Sequence, residues 1–178
     1  MPFDPSVPSP ASIRAAASPG LLRWALPTPI GRIGLCWRPG AADNDGVLTR
    51  VELAADGLDA PVPPAHVAAA FAAYFDDADQ AVGLPVALAG TPFQQRVWRA
   101  IAAIPSGRTR TYGELADALG SAPRAVGGAC RANPCPLVVP CHRVVGRHGL
   151  GGFAGDTDGR LLAIKTWLLR HEQALPAA

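Results

Sequence analysis

A cysteine and a histidine stand side by side at Cys141 and His142, between Pro140 and the glycine-rich segment 146–155. The thiolate form of cysteine is the nucleophile, but a free thiol has a pKa of about 8.5 and ionises only in part at neutral pH. A neighbouring imidazole can take the thiol proton and activate the sulfur. Because glycine adopts backbone conformations that other residues avoid, the following segment can wrap around a flat ligand. The pair therefore has two interpretations, either an activated cysteine nucleophile or a buried cysteine beside a structural histidine, and the pair alone does not decide between them.

The sequence of this pair leaves two arrangements open. Neighbouring side chains in a strand point to opposite faces, so either the chain turns after Pro140 or His142 acts on the thiol through a bridging water. A third group should orient the imidazole, and the last predicted helix offers His171 and Glu172. A carboxylate at a helix C-terminus is disfavoured by about 0.3–1 kcal/mol, so we expect Glu172 to have a polar partner elsewhere.

The other cysteines and the N-terminus bear on the compartment. The spacing C-x4-C-x5-C-H argues against zinc, because zinc sites usually carry CxxC-type pairs and adjacent side chains rarely bind one ion. The first twenty residues lack the basic start and apolar core of an export signal, and we expect a disordered tail there. No apolar run approaches the roughly 18–20 residues that span a bilayer. We therefore expect a soluble, cytoplasmic protein with reduced thiols, namely Cys36, Cys130, Cys135 and Cys141.

Charge is divided unevenly along the chain, although the formal net charge is only +2. Residues 1–90 carry five arginines against nine acidic residues, a net charge of −4. Residues 91–178 carry eleven basic residues against five acidic ones, a net charge of +6. A basic half joined to an acidic half is compatible with contact between the second half and a polyanion, but many solvated protein surfaces are also basic, so the charge alone leaves both interpretations open.

The first half has the pattern of a small antiparallel sheet with one packed helix. Short strand-like runs occupy 21–40 and 46–54, and we expect turns at Pro27 and Pro29. A helix should follow Pro63 and Pro64, because apolar residues recur at helical spacing through 67–75. The segment 78–90 has the composition of a linker.

Capping signals start two helices in the second half. Thr91 and Gln94 form a capping box around Pro92, and the helix they open should end before Pro105. Thr111 and Glu114 repeat the device, and this helix should run from Tyr112 to Leu119. Both helix starts are thus predicted by polar side chains that can satisfy free backbone N–H groups.

Two further helices complete the predicted architecture. Ser121 can cap a helix that runs through Pro123 to about Ala132, and its tight Gly-Ser connection to the preceding helix is typical of a helix-turn-helix. A last helix should cover about 160–172, with Asp158 as its N-cap.

The predicted helix at 123–132 has an unusual surface. Four small residues lie on one stripe, and two interior glycines cost about 1 kcal/mol each relative to alanine. One explanation is close packing on a neighbouring helix. The other is a DNA-facing helix that approaches sugar and phosphate, with Arg124 and Arg131 at its flanks. The stripe consists of Ala125, Gly128, Ala129 and Ala132.

Five segments, in order, resemble the O6-alkylguanine-DNA alkyltransferases, or methylated-DNA–protein-cysteine methyltransferases. They are TPFQQRVW, TYGELA, RAVGGACRANP, VVPCHRVVG and IKTWLLRHE, between Thr91 and Glu172. The resemblance implies an α/β (α+β) fold. Residues 1–20 would be the tail, 21–84 an RNase-H-like sheet-and-helix domain, and 91–174 a winged-helix alkyl-transfer domain.

The resemblance also implies a reaction on DNA without a cofactor or a metal. Cys141 would take the alkyl group from O6 of guanine, and also from O4 of thymine, in one irreversible turnover. His142 would remove the thiol proton through water, and Glu172 would orient His142. The partner would be double-stranded DNA carrying O6-alkylguanine, bound by a monomer.

For the remaining residues the resemblance implies roles in binding. Asn133 would tie the helix-turn-helix to the active-site segment, Arg124 would replace the flipped nucleotide in the duplex, and Tyr112 would help to rotate a phosphate. The carbonyls of Cys141 and Val144 would bind the exocyclic amine of guanine, and the amide of Ala154 would meet O6. Further residues expected at DNA or substrate are Arg131, Arg143 and Phe153.

Two departures from the family and three rival functions accompany this interpretation. Phe153 stands where many members have tyrosine, so it can stack on a base but cannot donate a proton. The link 155–165 is also several residues longer than usual. A lesion-binding protein without chemistry would lack Cys141, and a transcription factor does not explain the Cys-His pair. A cysteine hydrolase using Cys141, His142 and Glu172 does not explain the helix-turn-helix.

Overall fold

The computed structural model describes residues 20–40, 46–155 and 159–175. The predicted tail, except Gly20, and the predicted cap Asp158 lie outside these ranges. None of the helices in these ranges combines the length and the apolar character needed to cross a bilayer.

The first half contains a three-stranded antiparallel sheet in the order β1-β2-β3. Its strands are β1 (Leu22–Thr28), β2 (Gly31–Pro39) and β3 (Gly46–Glu52). The predicted turn at Pro27 is wrong, because Pro27 pairs with Arg32 inside the β1-β2 ladder. The N–H of Ala25 donates outward, to Pro61 O at 2.9 Å. Two residues on, the nitrogen of Pro27 faces the same outer side, so the ladder loses no hydrogen bond.

Helix α1 (Ala65–Asp76) follows Pro64 as predicted and buries Val67, Phe71 and Tyr74. The expected linker at 78–90 is instead attached to the sheet. Leu48 on β3 donates to Pro85 O at 2.8 Å and accepts from Ala87 N at 2.9 Å. Hydrogen bonds along an open sheet edge satisfy backbone groups that would otherwise need water, so this segment extends the sheet.

The second half is mainly helical. Both predicted capping boxes are present, at Thr91 and at Thr111. The predicted cap Ser121 is wrong, because the N-cap of the next helix is Ala122 and it makes no side-chain cap hydrogen bond. The elements are α2 (Pro92–Ala102), β4 (Arg110–Thr111), α3 (Tyr112–Leu119), α4 (Pro123–Arg131), β5 (Val144–Val145) and α5 (Gly159–His171).

One hydrophobic core joins the two halves. Across it, Phe75 of α1 lies 5.9 Å from Trp167 of α5 between ring centroids, and Trp167 stacks on His171 at 4.9 Å. Farther along, the N–H of Val51 donates to Pro134 O at 2.8 Å. Such aromatic packing and backbone bonding fix the position of α1 and β3 against the second half. The fold is a mixed α/β fold, as predicted.

Candidate active site

The Cys-His pair lies on a single 3-10 turn, Cys141–Arg143, that begins directly after Pro140. The chain therefore turns after Pro140, but His142 Nδ1 has no partner among the described residues, so proton transfer from the thiol still needs a bridging water. The turn is fixed by backbone bonds from Cys141 N to Val139 O at 2.8 Å and from Val144 N to Cys141 O. Cys141 is 4% exposed and His142 is fully buried.

The sulfur of Cys141 accepts a hydrogen bond from Asn133 Nδ2 at 3.2 Å. Asn133 follows α4 and is itself held, because Nδ2 also donates to Val139 O at 2.8 Å and Oδ1 accepts from Cys135 N at 3.1 Å. Burial raises the pKa of the Cys141 thiol, and the Asn133 hydrogen bond and the Lys165 charge offset this only in part. The resting group is therefore a neutral thiol, which needs a proton acceptor before it can attack.

The imidazole of His142 can serve as that acceptor in one tautomer. Its Nε2 lies 2.9 Å from Glu172 Oε1. Burial lowers the pKa of His142 more than Glu172 raises it, so the ring is neutral. An ionised carboxylate only accepts hydrogen bonds, so Nε2 must carry the proton and Nδ1 must carry a lone pair. Nδ1 is buried and has no hydrogen-bond partner among the described residues.

Glu172, one residue beyond α5, has the polar partners that its position at a helix end predicts. Arg143 donates to it twice, from Nε to Oε2 at 2.9 Å and from Nη2 to Oε1 at 2.8 Å. With the bond from His142 already described, the hydroxyl of Tyr74 on α1 adds a fourth, to Oε1 at 2.8 Å. Burial by itself raises the pKa of Glu172, but the bonds from His142 and Arg143 outweigh it and lower the pKa to about 2.

Two residues of this network differ from the sequence-based expectations. The resemblance implies Arg143 at DNA or substrate, but its guanidinium is paired with Glu172 and with the carbonyl of Ile104. Its side chain is only 12% exposed. His171, the other candidate to orient His142, instead bonds to the carbonyl of Tyr74 at 2.8 Å.

A cavity of about 220 Å³ leads to the thiol. Cys141 is buried at this cavity, whereas Arg131, Ala154 and Gly155 on its wall are exposed, so it connects the sulfur with the surface. Ala154 adopts a left-handed backbone conformation with φ 49°. The lining residues are Tyr112, Gly127, Cys130, Arg131, Cys141, Gly152, Phe153, Ala154 and Gly155.

Lys165 on α5 fastens the loop that forms one wall of this cavity. It is fully buried, and Nζ donates to Val144 O at 2.7 Å, Leu150 O at 2.6 Å and Gly152 O at 3.1 Å. The Tyr112 hydroxyl also donates to Gly152 O, at 3.1 Å. Burial lowers the pKa of Lys165 to about 8. Lys165 is not among the site residues predicted from the sequence, although a charged residue between Ile164 and Leu168 on the apolar face of a helix is a signal.

Helix α4 presents a smooth outer face beside the cavity. Three residues of the predicted stripe are exposed. The fourth, Ala129, is buried, and its carbonyl accepts a hydrogen bond from Trp98 Nε1 at 2.8 Å. A Cβ atom on Gly128 would meet none of the described residues within 4 Å, so close packing against them does not explain that glycine. The exposed residues of this face are Arg124, Ala125, Gly128, Arg131 and Ala132.

Known proteins are similar to the second half of the chain, which contains the cavity and the Cys-His pair. The family model described as 6-O-methylguanine DNA methyltransferase, DNA binding domain, matches residues 92–174. A methylated-DNA–protein-cysteine methyltransferase of Salmonella typhimurium is 54% identical over 92 residues, which are 50% of this chain and 51% of the relative. The chain thus spans about half the length of the first curated relatives that it matches.

Two other proteins match over more of their length. A methylated-DNA–protein-cysteine methyltransferase of Methanosarcina barkeri is 40% identical over 127 residues, 70% of this chain and 77% of the relative. The crystal structure of Mycobacterium tuberculosis OGT in complex with DNA superposes with a TM-score of 0.66 and 34% identity, covering 85% of this chain and 93% of that one. This chain belongs to the methylated-DNA–protein-cysteine methyltransferase family.

Proposed function

We propose that this protein repairs DNA by moving an alkyl group from O6 of guanine, or from O4 of thymine, to the sulfur of Cys141. One observation is the main support for this proposal. A buried thiol lies at a surface cavity beside an imidazole whose Nε2 is held by an ionised carboxylate and whose Nδ1 has no partner in the described part of the chain. This arrangement supplies a nucleophile and a base without a metal or a cofactor.

The proposed reaction is a single displacement at carbon. The thiol proton passes to Nδ1 of His142, through water as the resemblance implies, and the resulting imidazolium is stabilised by Glu172. The sulfur then forms a bond to the alkyl carbon while the carbon–O6 bond breaks. The electron pair of that bond stays on guanine, which takes up a proton from solvent, while His142 releases the former thiol proton to solvent and returns to its neutral form. The product thioether has no proton to lose and no good leaving group, so each molecule acts once.

The position of the thiol requires the damaged nucleotide to leave the duplex. A buried sulfur cannot reach O6 in a stacked base, and extrusion of the nucleotide costs a few kcal/mol, less for a damaged base. The smooth face of α4 suits close approach to sugar and phosphate, which positions a protein without reading sequence. Arg124 and Arg131 on that face are exposed, as contact with DNA requires.

The cavity wall suits a flat base. Phe153, which is 3% exposed, supplies a ring for stacking, and Tyr112 on the same wall would help to rotate the phosphate of the flipped nucleotide. We propose that the Ala154 amide meets O6 and that Arg124 fills the space left in the duplex. We propose that the carbonyls of Cys141 and Val144, which accept hydrogen bonds from Val144 N and from Lys165 Nζ, bind the guanine amine with their second lone pairs.

We further propose an RNase-H-like domain at 21–84 and a winged-helix domain at 91–174. The sheet with α1 supports the first assignment, and the α3-α4 pair followed by the bridge from Gly146 to Gly149 supports the second. We propose that the protein acts on double-stranded DNA as a monomer in the cytoplasm.

Mass spectrometry tests the proposed reaction directly. The protein is mixed with an equimolar duplex that contains one O6-methylguanine, and the protein is then digested with a protease. We expect one methyl group on the peptide that carries Cys141, and none on peptides from the Cys141→Ala variant, which still binds the duplex. An intact, reduced protein that gains no methyl group would contradict the proposal.

Arg124→Ala tests the proposed mode of base extrusion. We expect methyl transfer from duplex DNA to slow by more than duplex binding weakens, because the arginine would act after the encounter. Equal losses in both measurements would show that Arg124 only anchors phosphate.

A further inference from the structure

The side chain of Tyr74 crosses from the first half of the chain into the network behind the thiol. It lies on α1 and is 2% exposed. Its hydroxyl donates to Glu172 Oε1 at 2.8 Å, although 98 residues separate the two in sequence. Tyr74 is therefore attached to the carboxylate that holds His142.

The hydroxyl shares its acceptor atom with the histidine. Glu172 Oε1 receives His142 Nε2 at 2.9 Å, Arg143 Nη2 at 2.8 Å and Tyr74 at 2.8 Å. A carboxylate oxygen has about two lone-pair positions, so three donors on one oxygen leave it little freedom to rotate or to strengthen any single bond. Burial and the Glu172 charge raise the pKa of Tyr74, so this hydroxyl stays protonated and can only donate here.

The helix that carries Tyr74 is fixed at the same place by its backbone. His171, next to Glu172, donates from Nε2 to Tyr74 O at 2.8 Å. Phe75 then packs on Trp167 and His171 with centroid distances of 5.9 Å and 6.4 Å. Tyr74 is thus bonded through its side chain to Glu172 and through its carbonyl to His171 of α5. These two hydrogen bonds hold the Tyr74 hydroxyl in a defined position.

We propose that Tyr74 is a positioning residue for alkyl transfer, by which the first half of the chain fixes Glu172 and sets the basicity of His142. The proposal rests on the proposed function and adds a role for the first half. Tyr74 touches neither the substrate cavity nor the sulfur and acts through Glu172. Without its hydroxyl, the negative charge on Oε1 is shared by fewer donors and favours a protonated His142.

Several charged or titratable groups surround the His142–Glu172 pair. Arg143 on the turn and Lys165 on α5 both lower the pKa of His142 by their positive charge. A second cavity of about 530 Å³ reaches Glu172 from the far side. The ionisable residues on its wall besides Glu172 are Asp76, Asp77, Asp79, Arg108 and His171. None of these groups changes in a Tyr74→Phe variant, so a shift in the pKa of His142 reports the hydroxyl alone.

The test compares Tyr74→Phe with Phe75→Leu. Nuclear magnetic resonance of nitrogen-labelled histidine follows His142 without DNA, and single-turnover transfer is measured against pH. For Tyr74→Phe we expect the pKa of His142 and the low-pH limb of the transfer rate to rise together by about 0.5–1 pH unit. We also expect the plateau rate to fall about tenfold. Phe75→Leu weakens the same interface between α1 and α5. It should lower the melting temperature without shifting the pKa of His142 or the low-pH limb of the transfer rate.

The outcomes separate this proposal from the proposed function. An unchanged pKa of His142 in Tyr74→Phe, or an equal shift in Phe75→Leu, overturns the role of Tyr74. A parent protein that gains no methyl group overturns the proposed function, whereas the histidine resonances still decide whether Tyr74 controls His142.

Discussion

Two regions beside the cavity differ in how their polar groups are bonded. The rear is the buried network of His142, Glu172, Arg143 and Lys165, and the front is the exposed face of α4. At the rear, Glu172, Arg143 and Lys165 are held by buried hydrogen bonds, and among the described residues His142 Nδ1 has no partner. At the front, Arg124 and Arg131 on α4 are exposed beside small residues. A saturated network keeps a base in one tautomer, while an exposed cationic face can adapt to a polyanion. Under the proposed function, chemistry and docking would therefore be separated in space.

The largest expected effect comes from removing the charge at the rear. Glu172→Gln offers His142 a neutral amide and leaves the Arg143 guanidinium without its carboxylate. We expect single-turnover methyl transfer to slow by about 100-fold or more, because the general base loses its orientation and its counter-charge. The measurement is transfer from a methylated duplex, below the melting temperature of the variant. A transfer rate within about threefold of the parent rate would contradict the comparison, because the buried network at the rear would then not contribute to alkyl transfer.

Stability against acid should reveal the same network in the absence of DNA. The pKa of Glu172 is lowered to about 2, so the unfolded state binds more protons than the folded state between about pH 4.5 and pH 2. The stabilisation is therefore complete above about pH 4.5 and is lost as the pH falls toward about 2. It amounts to about 3 kcal/mol. The neutral, buried His142 adds a loss of the same sign as the pH falls below about 6.5.

Chemical unfolding at a series of pH values checks this prediction. Glu172→Gln should show a flatter profile below about pH 4.5 than the parent protein. Parallel profiles for the two proteins would contradict the assigned ionisation of Glu172.

Lys165→Met tests the wall between the rear and the front. The variant keeps a long, unbranched side chain but leaves the carbonyls of Val144, Leu150 and Gly152 without their shared donor. We expect the free energy of unfolding to fall by about 2–3 kcal/mol and transfer to slow by about tenfold, because the loop at the cavity loses its anchor. Chemical unfolding and single-turnover transfer measure the two effects.

The control for this variant is Leu161→Met on the same helix, which removes none of the three hydrogen bonds. It should leave both the free energy of unfolding and the transfer rate close to the parent values. Equal behaviour of the two variants would show that Lys165 does not anchor the cavity wall.

Gly128 tests the front alone. Since a Cβ atom there meets nothing in the described part of the chain, Gly128→Ala should raise helix stability by up to about 1 kcal/mol. Gly128→Leu should fold equally well but bind duplex DNA about fivefold more weakly, because its side chain would keep α4 away from the backbone. Fluorescence anisotropy with an undamaged duplex compares the two variants. Equal affinity in both would remove α4 from the docking surface.

The smallest effect is expected at the second thiol of the cavity. Burial raises the pKa of Cys130 to about 12, and the side-chain hydrogen bond from Asn133 goes to Cys141 instead. Cys130→Ala should therefore change the transfer rate by less than about twofold. Peptide mapping of the reacted parent protein should find the methyl group on Cys141 alone. A methyl group on Cys130 would show that the surroundings of Cys141 do not select the nucleophile.

Local signals in the sequence predicted much of the second half correctly. Thr91 and Thr111 start their helices because capping depends on residues only three positions apart. Pro27 was misinterpreted because proline fits an edge strand when its nitrogen faces away from the ladder, and that direction depends on the neighbouring strand.

The residues of the candidate site also differ in whether a local sequence signal could predict them. The sequence indicated Cys141, His142 and Glu172 through their residue types and the family resemblance, but not Tyr74, because its contact depends on how α1 docks on α5. The pairing of Arg143 with Glu172 also joins residues that are distant in sequence, so no local pattern could predict it.

The buried amine of Lys165 has a consequence for how the protein should respond to ionic strength. Its charge faces three carbonyl oxygens inside the protein, where dissolved ions do not reach it. The arginines of α4 lie in water, where added salt competes with phosphate for them. Encounter with DNA should therefore weaken steeply as salt is added, while the chemical step in the bound complex keeps the same rate constant.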